Sequence, residues 1–314
     1  MLNRRHIRVK VMQTIYAMHQ NGSDNIEKQE KFLKYSIDAI LDLYLIMVSA
    51  LIEIRNIEQL FIEKSSKKHL ATPEEQNPNK KFIENAVLSS LSDNNSISTA
   101  LADRKIDNWS LNDDYILLLL NEIKQSEYYA NYMSSSNRSF AEDQEFIIEI
   151  FSEIIAPNDK LYDYLEDHRL TWIDDIPLVN TQIIKQLRFL KSATDSSFKV
   201  PILFKDEEDK EYVTDLFRKT VLNEVELASY FIDKTPNWDT DRIAEMDTII
   251  LKMAICEFLK FPSIPVKVTI NEYLELAKEY STPKSSVFIN GILDNLIKEL
   301  EFSSKLQKIG RGLL

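Results

Sequence analysis

Glycine is nearly missing from this chain of 314 residues, with four in all, at positions 22, 291, 310 and 312. Between residues 23 and 290 no backbone position has glycine's easy access to left-handed conformations, which excludes glycine-rich phosphate loops and tight primed hairpins from that interval. Cysteine is scarcer still. The single Cys256 cannot form an internal disulfide, and its place in the apolar stretch IILKMAICEFL suits a small core side chain. Long hydrophobic runs are also lacking: the longest covers ten residues, 43–52, between Asp42 and Glu53, against the roughly 20 that span a membrane. The basic start of the chain is not followed by an apolar segment and a small-residue cleavage site, so cytoplasmic residence is the expectation. The four histidines, His6, His19, His69 and His168, have no metal-ligand spacing, and neither a metal nor another cofactor is expected.

What the chain does have is helical pattern. With 44% hydrophobic residues it can bury a substantial core, its length allows two domains, and its Leu-, Ile-, Glu- and Lys-rich periodic stretches indicate an all-α protein. Residues 37, 40, 44, 47, 51, 54 and 61 keep helical spacing within one long helix over about 27–64. The polar stretch 65–80, with Pro73 and Pro78, reads as a loop, and further helices are expected near 81–91, 112–133, 140–155 and 175–191. Tyr128, Tyr129, Tyr132, Trp109 and Trp172 are stacking candidates for bases, although core packing is the commoner use of such rings.

Charge is unevenly spread. Residues 1–19 contain Arg4, Arg5, Arg8 and Lys10 and no acidic residue, and subtracting these four from the net −12 leaves −16 on the remainder. A polyanion would be guided to this end and repelled elsewhere. Ile7, Val11, Ile15 and Met18 form one apolar stripe, which leaves Arg4, Arg5 and Arg8 expected on the outer surface, with Gln13 and Tyr16 offering a hydrogen bond and a ring.

The last third carries sharper punctuation. One helix of about seven turns is expected from residue 207 to before Pro236, and the next begins at 239–241 and stops at Pro262. Thr269 and Glu272 are spaced as a capping box, Pro283 closes that helix, and Ser285 or Ser286 caps the last.

WDTDRIAEMDTIILKMAICEF followed by SIPVKVTINEYLELAKEYSTPKSSVFINGILDNLI resembles the C-terminal half of the NusB family of transcription antitermination factors, and RRHIRVKVMQTIYAMHQNG resembles that family's opening helix. The resemblance covers 4–20 and about 207–299, roughly a third of the chain, and is most specific in the ordered INE, LAK and FINGILD elements. It implies a pair of helical bundles without catalytic activity that binds a short single-stranded boxA-type RNA jointly with a small-subunit ribosomal protein, NusE, within the antitermination complex of RNA polymerase. Carried over by position, Arg4, Arg5, His6 and Arg8 form the RNA contact, with Lys10, Gln13 and Tyr16 nearby. At the other end Phe288 matches an aromatic that in the family lies beside the RNA, Lys284 stands where the family has an acidic residue and would strengthen phosphate attraction or alter the partner contact, and Lys267, before the capped helix, is a further candidate contact. Asp241 and Asp247 fall where the family meets its ribosomal partner.

The expected organisation is therefore 1–20 as the first helix, 21–206 as a helical insertion, 207–301 as the C-terminal bundle and 302–314 as a flexible tail. Two other classes remain open. One is a purely protein-binding helical scaffold; the other is the NusB-like part of an RNA methyltransferase system, which would need a cofactor fold and a nucleophilic cysteine.

Overall fold

The computed structural model describes residues 1–195, 197–232 and 244–313. The expected helix start at 239–241, Asp241 included, lies outside them. The described residues form helices and no strand, as the composition requires, and no helix among them is long and apolar enough to cross a membrane.

The chain opens with α1 (Arg4–Gln20) and α2 (Ile26–Ser66), continues through α3 (Pro73–Gln76), α4 (Ala86–Ser92), α5 (Asn95–Arg104), α6 (Asn108–Leu111), α7 (Asp113–Gln125), α8 (Glu127–Ser134), α9 (Phe140–Ile150), α10 (Asp159–His168) and α11 (Ile176–Phe189), and ends with α12 (Glu207–Val221), α13 (Glu224–Ile232), α14 (Glu245–Lys260), α15 (Val266–Tyr280) and α16 (Ser285–Phe302). It divides into two compact units. Residues 1–37 and 203–314 make unit 1, and residues 38–202 make unit 2. The divisions fall inside α2 and just before α12, at 37/38 and 202/203.

Unit 2 is built on the long α2, whose 41 residues contain neither glycine nor proline to interrupt the backbone ladder. Its apolar stripe, including Tyr44, Met47, Leu51 and Ile54, is buried as the spacing predicts. Two expected helices are interrupted or shortened by side-chain caps. The Asn85 side chain accepts from the amides of Val87 and Leu88, so the helix expected from residue 81 starts only at Ala86. Ser126 accepts from the Tyr129 amide and divides the expected 112–133 helix into α7 and α8. The 140–155 helix changes to a wider turn over Phe151–Ile155, where the Ala156 amide reaches back to the Phe151 carbonyl at 2.8 Å. Trp109 and Trp172 are buried and donate to the α2 carbonyls of Ile46 and Ala39, so their rings serve the core of unit 2 rather than bases.

Unit 1 brings the start of the chain against its last third. α1 packs on α12 and α14, and α14, α15 and α16 pack on one another in succession. Ile7, Val11 and Ile15 are fully buried, each such side chain contributing about 1.5–3 kcal/mol relative to exposure. The helix expected over seven turns from 207 ends early, because the Asn223 side chain donates to the Lys219 carbonyl at 2.7 Å and α13 restarts at Glu224.

The capping box at Thr269 and Glu272 does not form. α15 begins a turn sooner, after Pro265 at φ −63°, which places Thr269 inside the helix, buried, with its hydroxyl on Glu257 at 2.7 Å. Nor does a serine side chain cap α16, whose first residue is Ser285 and whose cap position, Lys284, makes no side-chain cap bond. The segment after α16, expected as a flexible tail, folds back: the Ile309 amide donates to the Pro262 carbonyl at 3.0 Å and Gly312 is buried.

Candidate nucleic-acid interface

α1 starts where Asn3, in extended conformation, accepts from the His6 amide at 3.1 Å. That fixes the register of the next turn, in which Arg4, Arg5 and Arg8 each meet a carboxylate. Arg4 donates through Nε to Asp209 at 2.8 Å and through Nη2 to Glu208 at 2.6 Å. Arg5 grips Glu272 with two parallel bonds of 2.9 Å. Arg8 grips Glu257 through Nε at 2.9 Å and Nη2 at 2.7 Å, with its Nη1 also 3.7 Å from Glu272. Paired bonds of this kind are the strongest and most directional that arginine makes.

The three arginines line an open groove of about 530 Å³ together with Ile264, Pro265, Val268 and Arg311. They are not equivalent. Arg5 is 43% exposed along its side chain and Arg8 only 2%. Glu257 is fully buried, and besides Arg8 it accepts from Tyr212 at 2.5 Å, Thr269 at 2.7 Å and Tyr273 at 3.2 Å. Burial works against both charges, yet the pair's attraction and its hydrogen bonds outweigh it, raising the Arg8 pKa and lowering that of Glu257. Both tyrosines are pushed well above their ordinary range, first by burial and then by the Glu257 charge, so they remain neutral donors. The expected surface placement of Arg8 is thus corrected: its guanidinium is consumed inside the fold, joining α1 to α14.

Residues 182–298 match the NusB family model. The chain is 40% identical over 125 residues to the transcription antitermination protein NusB of Salinibacter ruber, covering 40% of this chain and 77% of that protein. It is 44% identical over 94 residues to the protein of the same name from Finegoldia magna, covering 29% and 69%, and 37% identical over 109 residues to that of Chloroherpeton thalassium, covering 35% and 52%. This chain belongs to the NusB family. No solved structure matches it significantly. The NusB match begins at Gln182, inside α11 and upstream of the 207 boundary that the motifs suggested.

Among the other residues expected at a NusB RNA contact, Tyr16, Lys267 and Lys284 are exposed, while His6, Gln13 and Phe288 are partly covered. Burial is the main influence on His6, and together with Arg5 and Lys10 it lowers the imidazole pKa below the ordinary 6.5. Lys10 is 3% exposed, so its expected place near an RNA is corrected: it belongs to the interior of α1's packing. Asp247 is corrected as well. It is 5% exposed and accepts from Ser281 at 2.5 Å and Ser285 at 2.8 Å, so it ties the first turn of α14 to the α15–α16 turn instead of facing a ribosomal partner.

Sequence reasoning missed the carboxylates. The signal that could have found Glu257 is that it is the lone acid inside IILKMAICEFL, where a buried carboxylate needs a cation to answer it. Arg311, between two glycines near the chain's end, gave no periodic signal. Cys256 beside Glu257 is fully buried and its thiol is pushed up to about 12, chiefly by burial, which is a poor state for a nucleophile.

Proposed function

We propose that this chain is a transcription antitermination factor, a non-catalytic adaptor that binds boxA-type single-stranded RNA together with a small-subunit ribosomal protein in the RNA polymerase antitermination complex. The observation that carries the reading is the exposed Arg5 guanidinium on a groove at the start of α1, in a chain whose NusB relatives bear the antitermination name. Lys267, Lys284 and Tyr16 are exposed cations and a ring available to the same strand, and Phe288 lies in the first turn of α16.

The test is titration of a labelled boxA-like RNA at two salt concentrations, with and without the ribosomal protein. Affinity should fall with salt at a slope of about −0.7 for each phosphate neutralised. Arg5→Ala should weaken binding on the order of tenfold while changing stability by less than about 1 kcal/mol, as an exposed ion pair does. Salt-independent affinity, or equal affinity of parent and variant, defeats the reading.

One observation favours a protein-binding scaffold as second choice. The groove's four guanidiniums, of Arg4, Arg5, Arg8 and Arg311, are matched by four carboxylates, those of Glu208, Asp209, Glu257 and Glu272, leaving no net charge there. Capture of the ribosomal protein without RNA, together with no RNA binding by the pair, would select it.

A further inference from the structure

We infer that the C-terminal tail completes the RNA site, with Arg311 supplying a guanidinium to a backbone phosphate at the arginine groove. This rests on the RNA reading given above and adds a residue from outside the family-matched 182–298.

The tail is seated by several independent contacts. Lys308 donates to the carbonyls of Phe261 at 3.0 Å and Glu257 at 3.3 Å, a cation placed on the open carbonyl end of α14. Partial burial against these carbonyls lowers this ammonium's pKa to about 8. The Ile309 amide bonds Pro262, and Gly310 turns the chain at φ +52°. Gly312 then lies so close to Pro262 that an added Cβ would come within 1.9 Å of its carbonyl oxygen. Only glycine permits this approach, and it delivers Arg311 to the groove lined by Arg4, Arg5 and Arg8.

Commitment differs among these guanidiniums. Arg4, Arg5 and Arg8 hold carboxylates at 2.6–2.9 Å, whereas Arg311 touches Glu208 only at 3.8 Å and is 81% exposed. Its planar fork therefore faces solvent with most of its donors available, the arrangement that suits a phosphodiester's two free oxygens. Glu208, shared between Arg4 and Arg311, keeps the tail arginine over the groove until a phosphate displaces that loose contact.

The experiment measures the affinity of the full chain for a labelled boxA-like single-stranded RNA, at several salt concentrations, for the parent and four variants. Arg311→Ala should bind about 3- to 10-fold more weakly, with a salt slope shallower by about 0.7, the loss of one phosphate contact. Arg311→Lys should recover part of the affinity. Gly312→Val, which keeps Arg311 but cannot seat the tail, should lose as much as Arg311→Ala. Lys305→Ala removes a tail charge that lies over the Tyr230 ring instead of the groove, and should bind like the parent. Parental or tighter binding by Arg311→Ala overturns the inference alone, as does parental binding by Gly312→Val. Absence of RNA binding by the parent overturns both the inference and the reading beneath it.

Discussion

Each unit has a buried polar network, and the two are closed over very different lengths of chain. In unit 2, Tyr132 donates to Asp143 at 2.6 Å, Asn85 donates to Tyr132 and to the Asp143 carbonyl, and the second Asp143 oxygen accepts the Ala86 amide at 2.8 Å. Lys81 lies over the Tyr132 ring, 4.3 Å from its centre, and pairs with Glu142. All of these residues lie within 81–143. In unit 1, Arg8 and Glu257 are 249 residues apart in sequence. The Tyr132–Asp143 network closes within a few neighbouring helices, whereas the Arg8–Glu257 network closes only when residues from the two ends of the chain meet. The same short helix, α1, supplies both the buried Arg8 that pairs with Glu257 and the exposed Arg5.

The strongest way to break this contrast is Arg8→Met. It strands the Glu257 carboxylate without its cation and should cost about 3–5 kcal/mol. Segment-resolved hydrogen exchange should show the loss in 1–37 and 203–314 while 38–202 keeps its protection. Loss spread evenly over both units would erase the distinction drawn between them. Adding Glu257→Met should restore much of the stability, since an apolar pair of similar size removes the stranded charge.

Asp143→Ala is the mirror experiment, with a smaller expected effect of about 1–3 kcal/mol for each donor left unpaired in unit 2. Its exchange signature should be confined to 38–202. The smallest effect concerns His6. Its folded pKa lies below 6.5, so as pH falls under 6.5 the unfolded chain takes up the proton first and stability declines; above that value both states are neutral and the contribution is fully present. His6→Asn should flatten the drop in melting temperature between about pH 7 and pH 5. A drop of equal size in both proteins would remove His6 as its source.

The helices were legible because apolar spacing reports burial directly. α2 came through nearly intact, its sequence lacking any residue that interrupts a ladder. The breaks at Ser126 and Asn223 were not legible, since apolar periodicity runs across them and a single polar side chain, turned back on its own backbone, decides the matter. Thr269 and Glu272 misled for a related reason: the local spacing fits a cap, but Pro265 had already started α15, and both side chains were claimed from a distance by Glu257 and Arg5. For the site, the clustering of arginines on α1 was visible, whereas the division between Arg8 inside and Arg5 outside was not. It depends on where α14 and α15 place Glu257 and Glu272, and nothing near residue 8 records that.

The separation of Arg8 from Glu257 also has a temporal side. At about 5–20 residues per second of synthesis, 249 residues take roughly 12–50 s to follow the first helix out of the ribosome. Throughout that interval the Arg8 guanidinium has no Glu257 to answer it, and the apolar stripe of α1 waits for α12 and then α14. Helix α1 is thus made long before the helices that bury it, and whatever shields a nascent chain must hold it until α12 and α14 arrive.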